Sequence, residues 1–288
     1  MILSSMKNKY VGFTQGFHTE SLAIIDEDGN CEFYPRGFDP SIVDTDNIAF
    51  FERPYLKKTR QLFAGQYKTA FAPLNLKLKP KKYFAHHLCH AANAFQQSDY
   101  MKARIIVADS IGEWDTVTIW NAHYDNYGYA HYKKEMWWSY PFSVGLFYSS
   151  ITQLCGFKTN AEEGKLMELS KLGKVDNHLV DLMFDQFYDM NNHRGCSGMY
   201  PYYSKEDIAA SAQYVIERFL RYYFRDGQLN CFAGGVAYNK LFIDKLRSAG
   251  YNIFVPENPG DPGSAIGAAA LLYGRKICST KTVVTTNH

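Results

Sequence analysis

Arg104-Ile-Ile-Val-Ala-Asp109, followed by Thr116-Val-Thr-Ile-Trp-Asn121 and by Gly128 to Lys133, reads as three consecutive strands separated by two turns. The first two are rich in the β-branched and aromatic side chains that suit a pleated, half-buried surface. An earlier part of the chain repeats the layout. Val11 to Phe13, Ser21 to Asp26 and Cys31 to Tyr34 are three short strand patterns, the last two joined by an Asp28-Gly29 turn. The second set starts about ninety residues after the first, and helical patterns follow each. Two strand meanders, each trailed by helices, predict a duplicated α/β fold with a cleft between its halves.

The helical patterns span Ser41 to Phe51, Leu56 to Phe63, His87 to Gln97, Ser143 to Cys155, Ala161 to Leu172, Asp176 to Asp189, Lys205 to Phe224, Val236 to Ser248 and Ser264 to Tyr273. Between the last three, Leu229 to Ala233 and Asn252 to Val255 end in turn residues, as parallel strands of a buried sheet do. The expected division is 1–101 and 102–278, with the Thr-rich tail 279–288 expected to lack structure.

Composition narrows the function. The 288 residues hold 22 Tyr and 20 Phe, an aromatic-rich interior, and carry a formal charge of +2, too small to argue for a large nucleic-acid footprint. The basic stretch Lys77 to Lys82 reads as a solvated loop before a strand. Six scattered cysteines without a C-x-x-C pair point to reduced thiols rather than a disulfide framework. Ser264 to Tyr273, the longest small or apolar run, is too short to span a bilayer, and no signal segment is evident at the N-terminus. A cytoplasmic location without membrane contact is the expectation.

Chemistry concentrates where a strand gives way to an alanine-rich helix, at Ala85-His86-His87-Leu88-Cys89-His90-Ala91-Ala92-Asn93. Residues four apart share a helix face, so His86 and His90 can converge on one ion, with His87 and His90 a poorer pairing. Satisfied core or capping histidines fit the same spacing. Asp109 ends an apolar strand and would point into whatever cleft lies there, or form a turn. Asp261, in Pro259-Gly-Asp-Pro-Gly, stands just before a helix and suits either a ligand or an N-cap. Ala233-Gly234-Gly235-Val236-Ala237-Tyr238-Asn239 follows a strand and opens a helix, where backbone N–H groups can approach a phosphate and Asn239 a ribose or base. Close helix–strand packing would also select those glycines. Lys165, in Glu163-Gly164-Lys165, puts a cation near a helix start, where it is misplaced unless it serves an anion or lies in solvent. Glu135-Met-Trp-Trp-Ser-Tyr140 reads as core packing, with stacking on a ligand as the other option.

Taken in order along the chain, these segments resemble the O-carbamoyltransferases of nodulation-factor and antibiotic biosynthesis. The resemblance runs through Gly16-Phe-His18-Thr-Glu-Ser21, Phe50-Phe-Glu-Arg-Pro-Tyr-Leu-Lys57, His86 to Ala92, Asp109 with Gly112-Glu113, and Glu163 to Met167. It continues through Asp207 to Gln213, Gly234 to Asn239 and Pro259 to Gly267. It implies a duplicated actin-like, ribonuclease H-like (ASKHA) fold with a central cleft. His86, His90, Asp109 and Asp261 match the family's metal ligands, two imidazoles and two carboxylates suiting iron first, then zinc or manganese. Gly234, Gly235 and Asn239 match its nucleotide loop, with Gly112 and Lys165 near the phosphates. His18 matches a histidine at the transfer site, placed to orient or deprotonate an acceptor hydroxyl. The implied reaction is carbamoyl transfer from a carbamoyl-adenylate, itself made from ATP, to a small-molecule hydroxyl, a modified nucleotide included. Thr19 and Ser110 depart from the family pattern, which has Asp and Gly there. Family members usually continue into a YrdC-like activating domain and many are homodimers, so this chain is expected to hold the transfer half, either served by a separate YrdC-like protein, or using a different donor, or without the full reaction. A tRNA threonylcarbamoyl transferase, or a nucleotide-binding switch without catalysis, are the rival readings.

Overall fold

The two strand meanders build two sheets with one strand order, in a computed structural model that describes residues 8–16, 20–189 and 191–283. In the first sheet, β1 (Tyr10–Thr14), β2 (Ser21–Ile25) and β3 (Asn30–Tyr34) run antiparallel. On the other side of β1, β4 (Ile48–Phe50) and then β5 (Lys82–Tyr83) add in parallel, with α1 (Pro54–Phe63) and α2 (Tyr67–Ala70) in the connection between them. After α3 (His86–Gln97) the pattern repeats with longer strands: β6 (Lys102–Gly112), β7 (Asp115–Tyr124) and β8 (Ala130–Ser139). A helical layer follows, of α4 (Val144–Leu154), α5 (Glu163–Leu169), α6 (Asn177–Asp189) and α7 (Lys205–Arg221). Then β9 (Leu229–Ala233) pairs parallel to β6, α8 (Lys240–Ser248) crosses over, and β10 (Asn252–Phe254) pairs parallel to β9. Last come α9 (Ser264–Tyr273) and β11 (Ser279–Thr282).

Burial follows the strand patterns. β2 is buried along its whole length, as a central strand covered on both faces must be, whereas β3 alternates exposed Asn30 and Glu32 with buried Cys31 and Phe33. Ser143 and Ser204 cap α4 and α7 by accepting from Leu146 N and Asp207 N, each at 3.1 Å.

The helices that close each half are exchanged between the sheets. Ala91, Ala94 and Phe95 of α3 pack on Ile105, Val107, Trp120 and Cys231 of the second sheet, while Ala265, Ile266, Ala269 and Ala270 of α9 pack on Ala23, Ile25, Cys31 and Phe33 of the first. The two helices also meet each other backbone to backbone. A Cβ on Gly267 would lie 1.8 Å from the carbonyl oxygen of Cys89, so only glycine permits this crossing. A division at residue 101 therefore separates each helix from the sheet it covers.

Two further expectations differ from the structure. Ser41 to Phe51 is not a helix: Asp39 accepts from Ser41 N and starts one 3-10 turn, Pro40–Ile42, after which Ile48–Phe50 pair with β1. The apolar spacing there suited a helix, but the intervening Asp44-Thr-Asp-Asn47 is poor helix sequence and a sheet edge was available. The tail was expected to lack structure from Ser279, yet Ser279–Thr282 extend the first sheet in parallel to β3; residues 284–288 lie outside the described ones. All six cysteines are unpaired, and among the described residues no helix is long and apolar enough to cross a membrane.

Candidate functional site

His86 and His90 stand one turn apart on α3, both buried, with their Nε2 atoms 3.0 Å from each other. Asp109 reaches them from β6. The pairing of β6 with β7 slips between Ala108 and Gly112, and that irregularity turns the strand end toward the helix. Asp261 comes from the 3-10 turn Asp261–Gly263 that leads into α9. Asp109 Oδ2 lies 3.1 Å from His86 Nε2 and 3.4 Å from His90 Nε2, and Asp261 Oδ1 lies 3.2 and 3.5 Å from the same two atoms. One ligand atom from each of the four residues falls within 4.8 Å of every other.

These separations are those of a coordination shell. Bonds of about 2.0–2.2 Å to a shared ion place neighbouring ligand atoms about 3.0 Å apart at right angles and about 3.4 Å apart at the tetrahedral angle. The Asp261 oxygen is buried and makes no hydrogen bond, although it faces two imidazole nitrogens at short range. The outer contacts fit as well. Asp109 uses its other oxygen, Oδ1, to accept from Ser110 N at 2.8 Å and Gly235 N at 3.2 Å, while Ser264 Oγ lies 3.3 Å from His90 Nδ1 and Glu52 stands 3.9 Å from His86 Nδ1. The four residues therefore fit a divalent transition metal.

Electrostatics agree with a dense cluster of opposite charges. Burial pulls the His86 imidazole down, but the carboxylates of Asp261 and Asp109 outweigh it and hold its pKa well above the ordinary value. Burial would raise Asp109, yet His86 and His90 hold it well below the usual carboxylate range. His87 takes no part. Burial and the charge of His86 keep its pKa well below normal, and its Nδ1 faces Thr118 Oγ1 at 2.9 Å, while that hydroxyl accepts from Trp120 Nε1.

The cluster opens on a cavity of about 780 Å³ that Gly235, Tyr238 and Asn239 also line. The other expected residues are less directly placed. Gly234 (φ +91°) lies behind the wall, where a Cβ would meet Ala108 O at 2.2 Å, and Gly112 lies beneath the histidines, where a Cβ would meet His86 Cδ2 at 2.4 Å. Both glycines make room for packing. Asn239 lines the cavity but accepts from Phe242 N and from Gln213 Nε2, each at 3.1 Å, and donates to Gln213 Oε1 at 2.9 Å. Lys165, expected near the phosphates, points to solvent and pairs with Glu162 at 2.5 Å, while its neighbours Glu163, Gly164 and Met167 line the cavity. His18 lies outside the described residues. Trp138 packs on the second-sheet core and donates to Tyr223 Oη at 2.7 Å, and Trp137 is exposed beside Lys134.

Sequence reasoning missed a charged wall of this cavity, formed by Glu52, Lys57, Arg60 and Glu113. Lys57 pairs with Glu52 at 2.5 Å, Arg53 grips the Glu113 carboxylate, and Arg60 Nε donates to the Glu113 carbonyl oxygen at 3.0 Å. The available signal was charge next to the apolar Phe50-Phe51, which put buried ionic groups at a strand end.

Known proteins bear on this arrangement. The family described as carbamoyltransferase N-terminus matches residues 31–202 and 195–270. An uncharacterized protein of Synechocystis sp. is 32% identical over 280 residues, covering 84% of this chain and 44% of that protein. Nodulation protein NolNO of Sinorhizobium fredii is 26% identical over 242 residues, covering 74% of this chain and 33% of that one. The chain thus spans less than half the length of these curated relatives. Among solved structures, component A of (R)-2-hydroxyglutaryl-CoA dehydratase from Acidaminococcus fermentans superposes with a TM-score of 0.50 at 13% identity, over 92% of this chain and 97% of that one. At that identity the likeness is one of fold. With its doubled strand order and central cavity, the chain has the duplicated actin-like fold and belongs to the carbamoyltransferase N-terminal family.

Proposed function

We propose that this chain carries the transfer site of a carbamoyltransferase, moving a carbamoyl group from a carbamoyl-adenylate to a hydroxyl acceptor. The observation that carries the reading is the convergence of His86, His90, Asp109 and Asp261 at the edge of a cavity of about 780 Å³. That volume lies in the range of small-molecule sites and suits a nucleotide with a small acceptor.

In the reaction, the acceptor oxygen attacks the carbamoyl carbon, the bond from that carbon to the phosphate oxygen breaks, and AMP departs with the electron pair. His18 is the residue this reading assigns to the hydroxyl proton, since an imidazole accepts protons near neutral pH. A divalent metal on the two histidines and two aspartates would supply positive charge beside the phosphate, where negative charge accumulates. Ser110 N and Gly235 N hold Asp109 in place by binding its second oxygen, and Ser264 faces Nδ1 of His90, so its Nε2 stays directed inward.

The test is metal analysis and ATP titration of the purified protein, followed by release of AMP from carbamoyl-adenylate with and without hydroxyl acceptors. One bound transition metal per chain and acceptor-dependent AMP release are expected. A protein that takes up neither iron, zinc nor manganese and does not bind ATP would rule the reading out.

A further inference from the structure

One buried cation in the cavity wall has no ion-pair partner of its own among the described residues. Arg60 is 5% exposed, and among the described residues no carboxylate stands within ion-pair distance of it. Its neighbours on α1 and at the start of α1 differ: Lys57 holds Glu52 and Arg53 holds Glu113. The charge of Glu52 acts on it only from beyond ion-pair distance, and the Tyr140 ring centroid lies 6.0 Å from its Cζ, so this largely buried guanidinium keeps the capacity to bind an anion directly.

The side chain is also oriented. Its Nε donates to the carbonyl oxygen of Glu113 at 3.0 Å, which fixes the guanidinium plane, and among the described residues only Nη1 of the two Nη groups finds a partner, Gln66 Oε1 at 3.4 Å. Gln66 in turn lies 3.4 Å from His193 Nε2, and all three residues line the cavity. Gln61 and Thr69 line it too, and among the described residues their side chains make no hydrogen bonds. A planar fork with free N–H groups recognises a carboxylate or phosphate by two parallel bonds, and the flanking amides and hydroxyl suit a polyhydroxyl body. The expected nucleotide loop belongs to the β9–α8 turn, whereas this cluster belongs to α1, α2 and the segment around His193.

On the reading that the cavity is the transfer chamber, we propose that its α1–α2 end is the acceptor subsite and that Arg60 there selects acceptors bearing a carboxylate or phosphate group. The test is a phosphorus NMR titration of inorganic phosphate into metal-stripped protein, with and without saturating AMP, for wild type, Arg60→Gln and Arg60→Lys. Phosphate should bind the wild type in both conditions and weaken by about tenfold or more in Arg60→Gln, with AMP affinity unchanged. Equal phosphate binding in wild type and Arg60→Gln would overturn the assignment. So would a parallel loss of AMP affinity, which would give the guanidinium to the nucleotide. Should Arg60→Gln fail to fold, Arg60→Lys decides, because it keeps the charge and loses the fork: weaker phosphate binding supports the subsite and unchanged binding refutes it. Failure of AMP to bind the wild type would count against the transferase reading alone, since the arm without AMP reads the subsite by itself.

Discussion

The histidine–aspartate cluster and the loop from Gly234 to Asn239 border one cavity, but their polar groups are in opposite condition. In the cluster, His86 Nδ1 and Asp261 Oδ1 are buried without a hydrogen bond, and one nitrogen or oxygen atom from each of four residues crowds within 4.8 Å of the others. In the loop, Gly234 N donates to Pro259 O at 2.8 Å, Gly235 N donates to Asp109, and the Asn239 amide is engaged on both ends. Buried polar atoms normally find partners, so the unsatisfied atoms support the proposed metal site, whereas the satisfied loop holds the wall in shape.

Four substitutions test that contrast, in falling order of effect. His90→Ala removes one of the four proposed ligands and should weaken metal binding by about a hundredfold or more, read by competition against a chelating dye. Retained affinity would erase the distinction between the two regions. Gly234→Ala places a Cβ 2.2 Å from Ala108 O at a positive φ and should destabilise the fold by about 2–4 kcal/mol in urea unfolding, while metal still binds the surviving folded protein. Asn239→Ala should lower stability by about 1–2 kcal/mol, through the lost α8 cap and the stranded Gln213 amide. A drop in ATP affinity of about a hundredfold with unchanged stability would instead make Asn239 a ligand-binding residue. Lys165→Ala should change stability by less than about 0.5 kcal/mol and leave ATP affinity as it was, because the side chain pairs with Glu162 in solvent.

The same contrast explains which site residues were legible. His86 and His90 announce a shared face by spacing alone, and local helix geometry carried that expectation through to 3.0 Å between their Nε2 atoms. The dipole argument for Lys165 is local, and a neighbouring Glu162 answers it without any ligand. Gly234 was legible as a glycine of either a phosphate loop or close packing, and the atoms that decide for packing, in Ala108 for Gly234 and in His86 for Gly112, are out of reach of a local pattern. Arg60 drew no notice, as an Arg on a short helix gives no sign of being buried opposite Glu113.

By itself the sequence determined the two strand meanders, most of the helices and the histidine pair, because period, turn residues and spacing of four depend on neighbours within a turn or a strand. Only the tertiary structure decided that α3 and α9 exchange sheets, that Ser279–Thr282 become an edge strand, and that Asp109 and Asp261 meet the histidines. Each of those outcomes rests on atoms far apart in the chain. A β-strand needs a partner's hydrogen bonds, a packed helix needs a face to cover, and a coordination shell needs four groups brought to one point; none of these requirements is written in a local pattern.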